Sequence, residues 1–76
     1  MDEFLRYVVG KLIEYPDELT ITHKEAEGRL VYFLGMRKSD VPKVIGKGGH
    51  TIQALRSLLQ ASAQKKGIRV GLEVLE

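Results

Sequence analysis

Apolar positions along this chain fall into short blocks whose spacing changes from helical to alternating and back. From Asp2 to about Tyr15, Leu5, Val8, Val9, Leu12 and Ile13 share one broad face at helical spacing, while Arg6, Lys11 and Glu14 take the other. Asp2 is placed to cap this helix. Pro16 ends it, because the residue before a proline avoids helical geometry. Leu19 to Ala26 then reads as a strand, with Leu19 and Ile21 alternating against Thr20 and Thr22 before the pattern fades into polar residues. Glu27-Gly28 is the natural turn. Leu30 to Met36 is a second, more apolar strand and the one expected to be more buried. The two strands predict a hairpin.

A short helix follows. Ser39 can accept from the free amides of its first turn, and Pro42 is harmless there because those amides have no helical partner. Val41, Val44 and Ile45 give this helix an apolar side, and it breaks at Gly46. A longer helix starts near Gly49 or His50 and runs to Lys66, with Ile52, Leu55, Leu58 and Leu59 as its buried stripe. Gln53, Arg56 and Gln60 form its wet side. Gly67 is a plausible left-handed stop. Ile68 to Leu75 then alternates, with Val70, Leu72 and Val74 against Arg69, Gly71 and Glu73. The predicted order is helix, strand, strand, short helix, glycine loop, helix, strand, with no repeat, low-complexity tract or linker.

Composition narrows the classes. The 76 residues make room for one domain, 1–76, and one small core. A hydrophobic fraction of 43% is too high for a disordered chain. No apolar run approaches the roughly 18 residues of a membrane span, and no signal peptide opens the chain, so a cytoplasmic location is the expectation. Absence of cysteine excludes disulfides, zinc knuckles and thiol nucleophiles. The net charge of +2 conceals an asymmetry. Residues 1–34 hold four bases and seven acids, whereas residues 35–69 hold eight bases and one acid, Asp40. Such a division suggests a half that faces a polyanion, although ordinary solubilising charge would also produce it.

One segment carries chemistry. Three glycines among Gly46-Lys47-Gly48-Gly49 imply a sharp turn that comes close to something a side chain would block. The loop runs into a helix whose first amides are unpaired and whose dipole is positive at that end, which suits a phosphate oxygen. Lys47 adds a mobile charge at the tip, and Lys43 lies one helical turn earlier. A Walker-type loop would need Ser or Thr where Gly48 stands. A dinucleotide fingerprint would need a strand, not a short helix, before the glycines. A purely structural turn between helices remains open, although one glycine normally suffices for that.

Ile45-Gly46-Lys47-Gly48-Gly49-His50-Thr51-Ile52 resembles the KH signature Ile-Gly-x-x-Gly-x-x-Ile at every defined position. The element order resembles the bacterial type II KH arrangement, and the resemblance covers essentially the whole chain. Length and the run Asp40 to Leu59 are similar to the small bacterial KhpA-type KH proteins. Pro42 departs from them, since relatives often carry a small residue there. The resemblance implies an α+β fold, α-β-β-α-α-β, with a three-stranded mixed sheet and three helices on one face. The last strand would lie parallel to the second. It also implies a clamp for about four nucleotides of single-stranded RNA. Gly46, Gly48 and Gly49 would admit the RNA backbone, amides near Gly49 and His50 would donate to phosphate, and Lys47 would pair with it. Val44, Ile45 and Ile52 would line the groove floor, with Ile52 serving the core as well. Lys43 and Arg56 are further contacts expected from spacing and charge.

The remaining residues point elsewhere. His23 lies in a polar stretch of an edge-like strand. His50 either borders the phosphate or is a solvated helix-start residue. Tyr7, Tyr15 and Tyr32 lack the interleaved pattern of a stacking sheet and read as core-edge residues. No carboxylate pair, nucleophile–base set or metal cluster appears, so neither an enzyme nor a cofactor is expected. Two functions follow. One is a sequence-tolerant binder of single-stranded RNA, a general RNA chaperone or regulator. The other is an assembly module, a homodimer or a partner of a longer Jag-type KH protein, with RNA binding secondary.

Overall fold

A computed structural model describes residues 2–75. Helix α1 spans Asp2–Leu12, strands β1 and β2 span Thr20–Ala26 and Arg29–Gly35, and α2 spans Val41–Ile45. Helix α3 covers His50–Gln64 and strand β3 covers Arg69–Val74. Short 3₁₀ turns at Pro16–Glu18, Lys38–Asp40 and Lys47–Gly49 join them.

The sheet order is β1-β2-β3, with β1 antiparallel and β3 parallel to β2. This is the α+β topology that the KH resemblance implied. The hairpin closes on two residues, Glu27 (φ 50°) and Gly28 (φ 78°). Positive φ at both centres gives the turn a twist that matches the strands it joins. Leu30, Tyr32 and Leu34 lie in register with Val70, Leu72 and Val74 and face the helices. Leu5, Val9 and Ile13 of the first helical segment and Leu55, Leu59 and Ala63 of α3 complete the core. Val31 and Phe33 sit on the sheet's opposite face, partly exposed.

Four local expectations change. Helix α1 ends at Leu12 rather than Tyr15, and Leu12 faces solvent while Ile13 turns into the core. Asp2 is the first helical residue and does not precede the helix; with Glu3 it places negative charge at the positive end of the dipole. Ser39 does not cap α2; it sits inside the preceding 3₁₀ turn, and the capping position falls to Asp40. Leu58 leaves the predicted stripe and is 57% exposed, its place in the core taken by Ala63. The stop after α3 is as expected. Gly67 (φ 72°) donates to the Gln64 carbonyl at 3.1 Å and Ile68 to that of Ala63 at 3.3 Å, the paired closure of a Schellman motif. That turn reverses the chain, so β3 runs back along α3 toward its N-terminus.

Candidate nucleic-acid interface

Helix α2 is too short to persist alone and is held by burial of Val41 and Val44. Its last turn closes where the Gly46 amide donates to the Pro42 carbonyl at 2.9 Å. Gly46 then adopts φ 78°, ψ 168°, a region open essentially to glycine alone. One 3₁₀ turn follows, closed by the Gly49 amide on the Gly46 carbonyl at 3.0 Å. Gly48 (φ 64°) and Gly49 (φ 78°) are both left-handed. α3 therefore starts behind three successive backbone choices that side chains rarely tolerate.

Gly49 stands at the N-cap of α3, and no side chain caps that helix. The first turn also contains no acid. The positive end of a 15-residue helix thus stands without a capping side chain or a nearby acid, while the Gly49 and His50 amides donate to the Gly46 and Lys47 carbonyls of the loop. Lys47 is exposed and forms no ion pair among the described residues. His50 is exposed beside Gly48. These groups lie within four consecutive residues of the loop and helix start. Beneath it, Val44 has no exposed surface and Ile52 almost none. They hold the loop from below, so neither forms a groove floor; Ile45, half-buried, is the apolar residue still accessible.

The two further basic contacts expected from spacing are engaged within the protein. Lys43 Nζ lies 3.2 Å from Asp40 and 3.4 Å from Glu14, and the hydrogen bond to Asp40 raises its pKa. Arg56 donates from Nε to the Leu72 carbonyl at 3.0 Å, with Glu73 3.9 Å away. Gln60, assigned to the wet side, also binds the free edge of β3, accepting from the Val70 amide at 3.0 Å and donating to the Ile68 carbonyl at 3.5 Å. The edge strand is thereby tied to α3 and left less open to pairing with another chain.

Asp40 is a structural residue beside the site that sequence reasoning missed. Its carboxylate is fully buried and accepts from the Glu14 and Tyr15 amides, each at 3.0 Å, and from Lys43. Burial works to raise its pKa, but these donors outweigh it and hold the pKa below the ordinary value. The clamp joins the segment after α1 to the base of the glycine loop. The only sequence signal was a lone acid in a basic stretch. Arg37 is occupied too, stacked 3.6 Å from the Tyr15 ring and paired with Glu18. Tyr32 is buried with its ring tilted against His23, while Tyr7 is exposed. Among the described residues no group of His, Cys, Asp or Glu is arranged to hold a metal. No helix is long and apolar enough to cross a membrane.

The family described as KhpA/KhpB, KH domain, matches residues 2–74. The chain belongs to that family. It is not a family of enzymes. The KhpA/KhpB domain here is 40% identical over 76 residues to a Chlamydia pneumoniae protein named RNA-binding protein KhpA, covering 100% of this chain and 97% of that one. A protein of the same name from Treponema pallidum is 39% identical over 75 residues, covering 99% and 94%. One from Listeria monocytogenes serovar 1/2a is 34% identical over the full length of both.

Proposed function

We propose that this KH domain, occupying residues 1–76 as a single unit, binds single-stranded RNA through the loop Gly46-Lys47-Gly48-Gly49. The observation that carries the reading is the uncapped, acid-free start of α3 behind left-handed glycines, with an unpaired Lys47 at the tip. A phosphate oxygen is held by the positive end of α3 next to Gly49 and His50, Lys47 supplies the counter-charge, and Gly46 and Gly48 let the backbone approach. Ile45 offers apolar contact beside that point, and Arg56 marks the groove between α3 and β3. No cofactor takes part. The relatives' name, RNA-binding protein KhpA, supports the same reading. A few phosphate contacts give weak, salt-sensitive and sequence-tolerant binding, suited to a general RNA chaperone or regulator in the cytoplasm.

The test is titration of a fluorescent single-stranded RNA with the wild type and with Lys47→Asp/Gly48→Asp. Loss of binding with an unchanged fold supports the clamp. Full affinity in the variant refutes it.

A second reading is assembly with another protein chain. Phe4 (40% exposed) and Leu58 (57% exposed) lie together on a groove of about 340 Å³ that also touches Leu59 and Ser62. Leu58 is about 200° around α3 from both Arg56 and Gln60 at about 100° per residue. A homodimer, or a pairing with a longer Jag-type KH protein, can therefore use this face while the β3 side stays open. Two linked grooves raise avidity where one RNA reaches both. Leu58→Glu, followed by light scattering, should convert a dimer to a monomer; an unchanged mass refutes this face.

A further inference from the structure

Two open depressions lie along α3 and past its C-terminal end. A shallow trough of about 480 Å³, lined by Arg56, Ser57, Gln60, Ala61, Gln64 and Val70, runs between α3 and β3. Beyond it, at the far end of α3, lies a second depression of about 540 Å³ lined by Ala26, Glu27, Gly28, Arg29, Gly67 and Arg69. Fourteen residue steps at 1.5 Å place this end about 21 Å from the loop.

Arg29 and Arg69 are direct partners in the β2–β3 pairing. Both are exposed, and neither forms an ion pair or a side-chain hydrogen bond among the described residues. Like charges directly opposite each other on a sheet repel. Arg37, Lys43 and Arg56, by contrast, have carboxylates within reach. The Arg29 guanidinium lies over Gly71, where a Cβ would stand 3.9 Å from it, on the same outer face of the sheet as Val31. Lys65 and Lys66, both exposed, precede Gly67 and add charge at the same end.

We propose that Arg29 and Arg69 form a second phosphate-contact surface, which takes up the same RNA strand after it leaves the loop and lengthens the footprint beyond the clamped nucleotides. This inference rests on the RNA reading above. Its physical content is charge complementarity: two guanidiniums side by side on the sheet face away from the helices, past the C-terminal end of α3, each able to hold phosphate oxygens in bidentate fashion. The contact is to backbone, so it adds affinity without base preference.

The test compares two fluorescent RNAs of mixed sequence, one of about five nucleotides, close to what a KH loop clamps, and one of about twelve. Anisotropy titrations at about 50 and 200 mM salt are run with the wild type, Arg29→Gln/Arg69→Gln, Arg29→Lys/Arg69→Lys and Lys47→Asp/Gly48→Asp. Circular dichroism checks the fold of each. The Gln pair should bind the short RNA as the wild type does and lose the long RNA's advantage. Its salt slope on the long RNA should fall by about 1.4, two contacts at about 0.7 each, so that the fourfold rise in salt costs it about sevenfold less affinity. The Lys pair should retain most of that advantage. Unchanged long-RNA affinity and slope in the Gln pair overturns the proposal. Equal loss on both lengths also overturns it, since that reports a general field or a disturbed fold. If the loop variant keeps its binding while the Gln pair loses the length dependence, the loop reading fails and the arginine surface stands.

Discussion

Substituting Gly46 by alanine tests the strictest demand the loop makes on its sequence. At φ 78° and ψ 168° this residue occupies a region that side chains avoid, which costs about 1–3 kcal/mol for the backbone alone. Space is also lacking. A Cβ at Gly46 would collide with Thr51 Oγ1, come within 2.6 Å of Thr51 Cβ and stand 2.9 Å from the Thr51 amide nitrogen. That last atom is backbone in the first turn of α3, so relief requires moving the helix start. Gly49 is the internal control. It is left-handed at the same φ of 78°, but nothing lies within 4 Å of a Cβ there. Gly49→Ala should therefore cost only the left-handed penalty of about 1–2 kcal/mol. A domain of this size has roughly 4–11 kcal/mol in total. Gly46→Ala should lower the melting temperature by well over 10 °C, at about 4–8 °C per kcal/mol, and Gly49→Ala by about half as much or less. Thermal unfolding followed by circular dichroism gives both values. If Gly46→Ala is as stable as the wild type, or no worse than Gly49→Ala, the steric argument fails.

Two further outcomes follow from packing and charge. Leu59→Ala should cost about 2–5 kcal/mol and Leu58→Ala about 0.5 kcal/mol or less in the monomer, although the two are neighbours in the chain; equal losses by urea titration would contradict the assigned burial. Asp40 titrates lower in the folded protein than in the unfolded chain, because the Glu14 and Tyr15 amides and Lys43 outweigh its burial. Its contribution is thus fully present above the unfolded value, near 3.8, and is lost as pH falls through the lower folded value. Asp40→Asn should melt lower than the wild type at neutral pH and lose less stability on acidification. Parallel acid limbs in thermal melts of the two proteins would show that Asp40 is not held in this way.

Element order and the glycine loop were legible in the sequence because each rests on local rules. Pro16 stops a helix through its immediate neighbour, Glu27-Gly28 closes a hairpin through two positive φ angles, and Gly67 ends α3 through its own backbone. The backbone turn of the loop itself also depends mainly on glycines within a few positions of Gly46. What tertiary structure decided was the use of each side chain whose partner is distant in the chain. Lys43 looked like an RNA contact until Glu14, 29 residues earlier, was found against it. Asp40 became a clamp through amides 25 and 26 residues away. Arg56 and Gln60 were assigned to solvent by helical spacing, but the edge of β3 lies alongside and they bind it. Leu58 and Ala63 exchanged places in the stripe because a single helical period cannot tell which of its apolar residues meets the sheet. Arg29 and Arg69, 40 residues apart, became neighbours only through the parallel pairing of β2 with β3. Backbone conformation is set mostly within a turn or two, so sequence determines it. Long-range pairing sets which charges are spent and which are left for a ligand, and only the folded chain decides that.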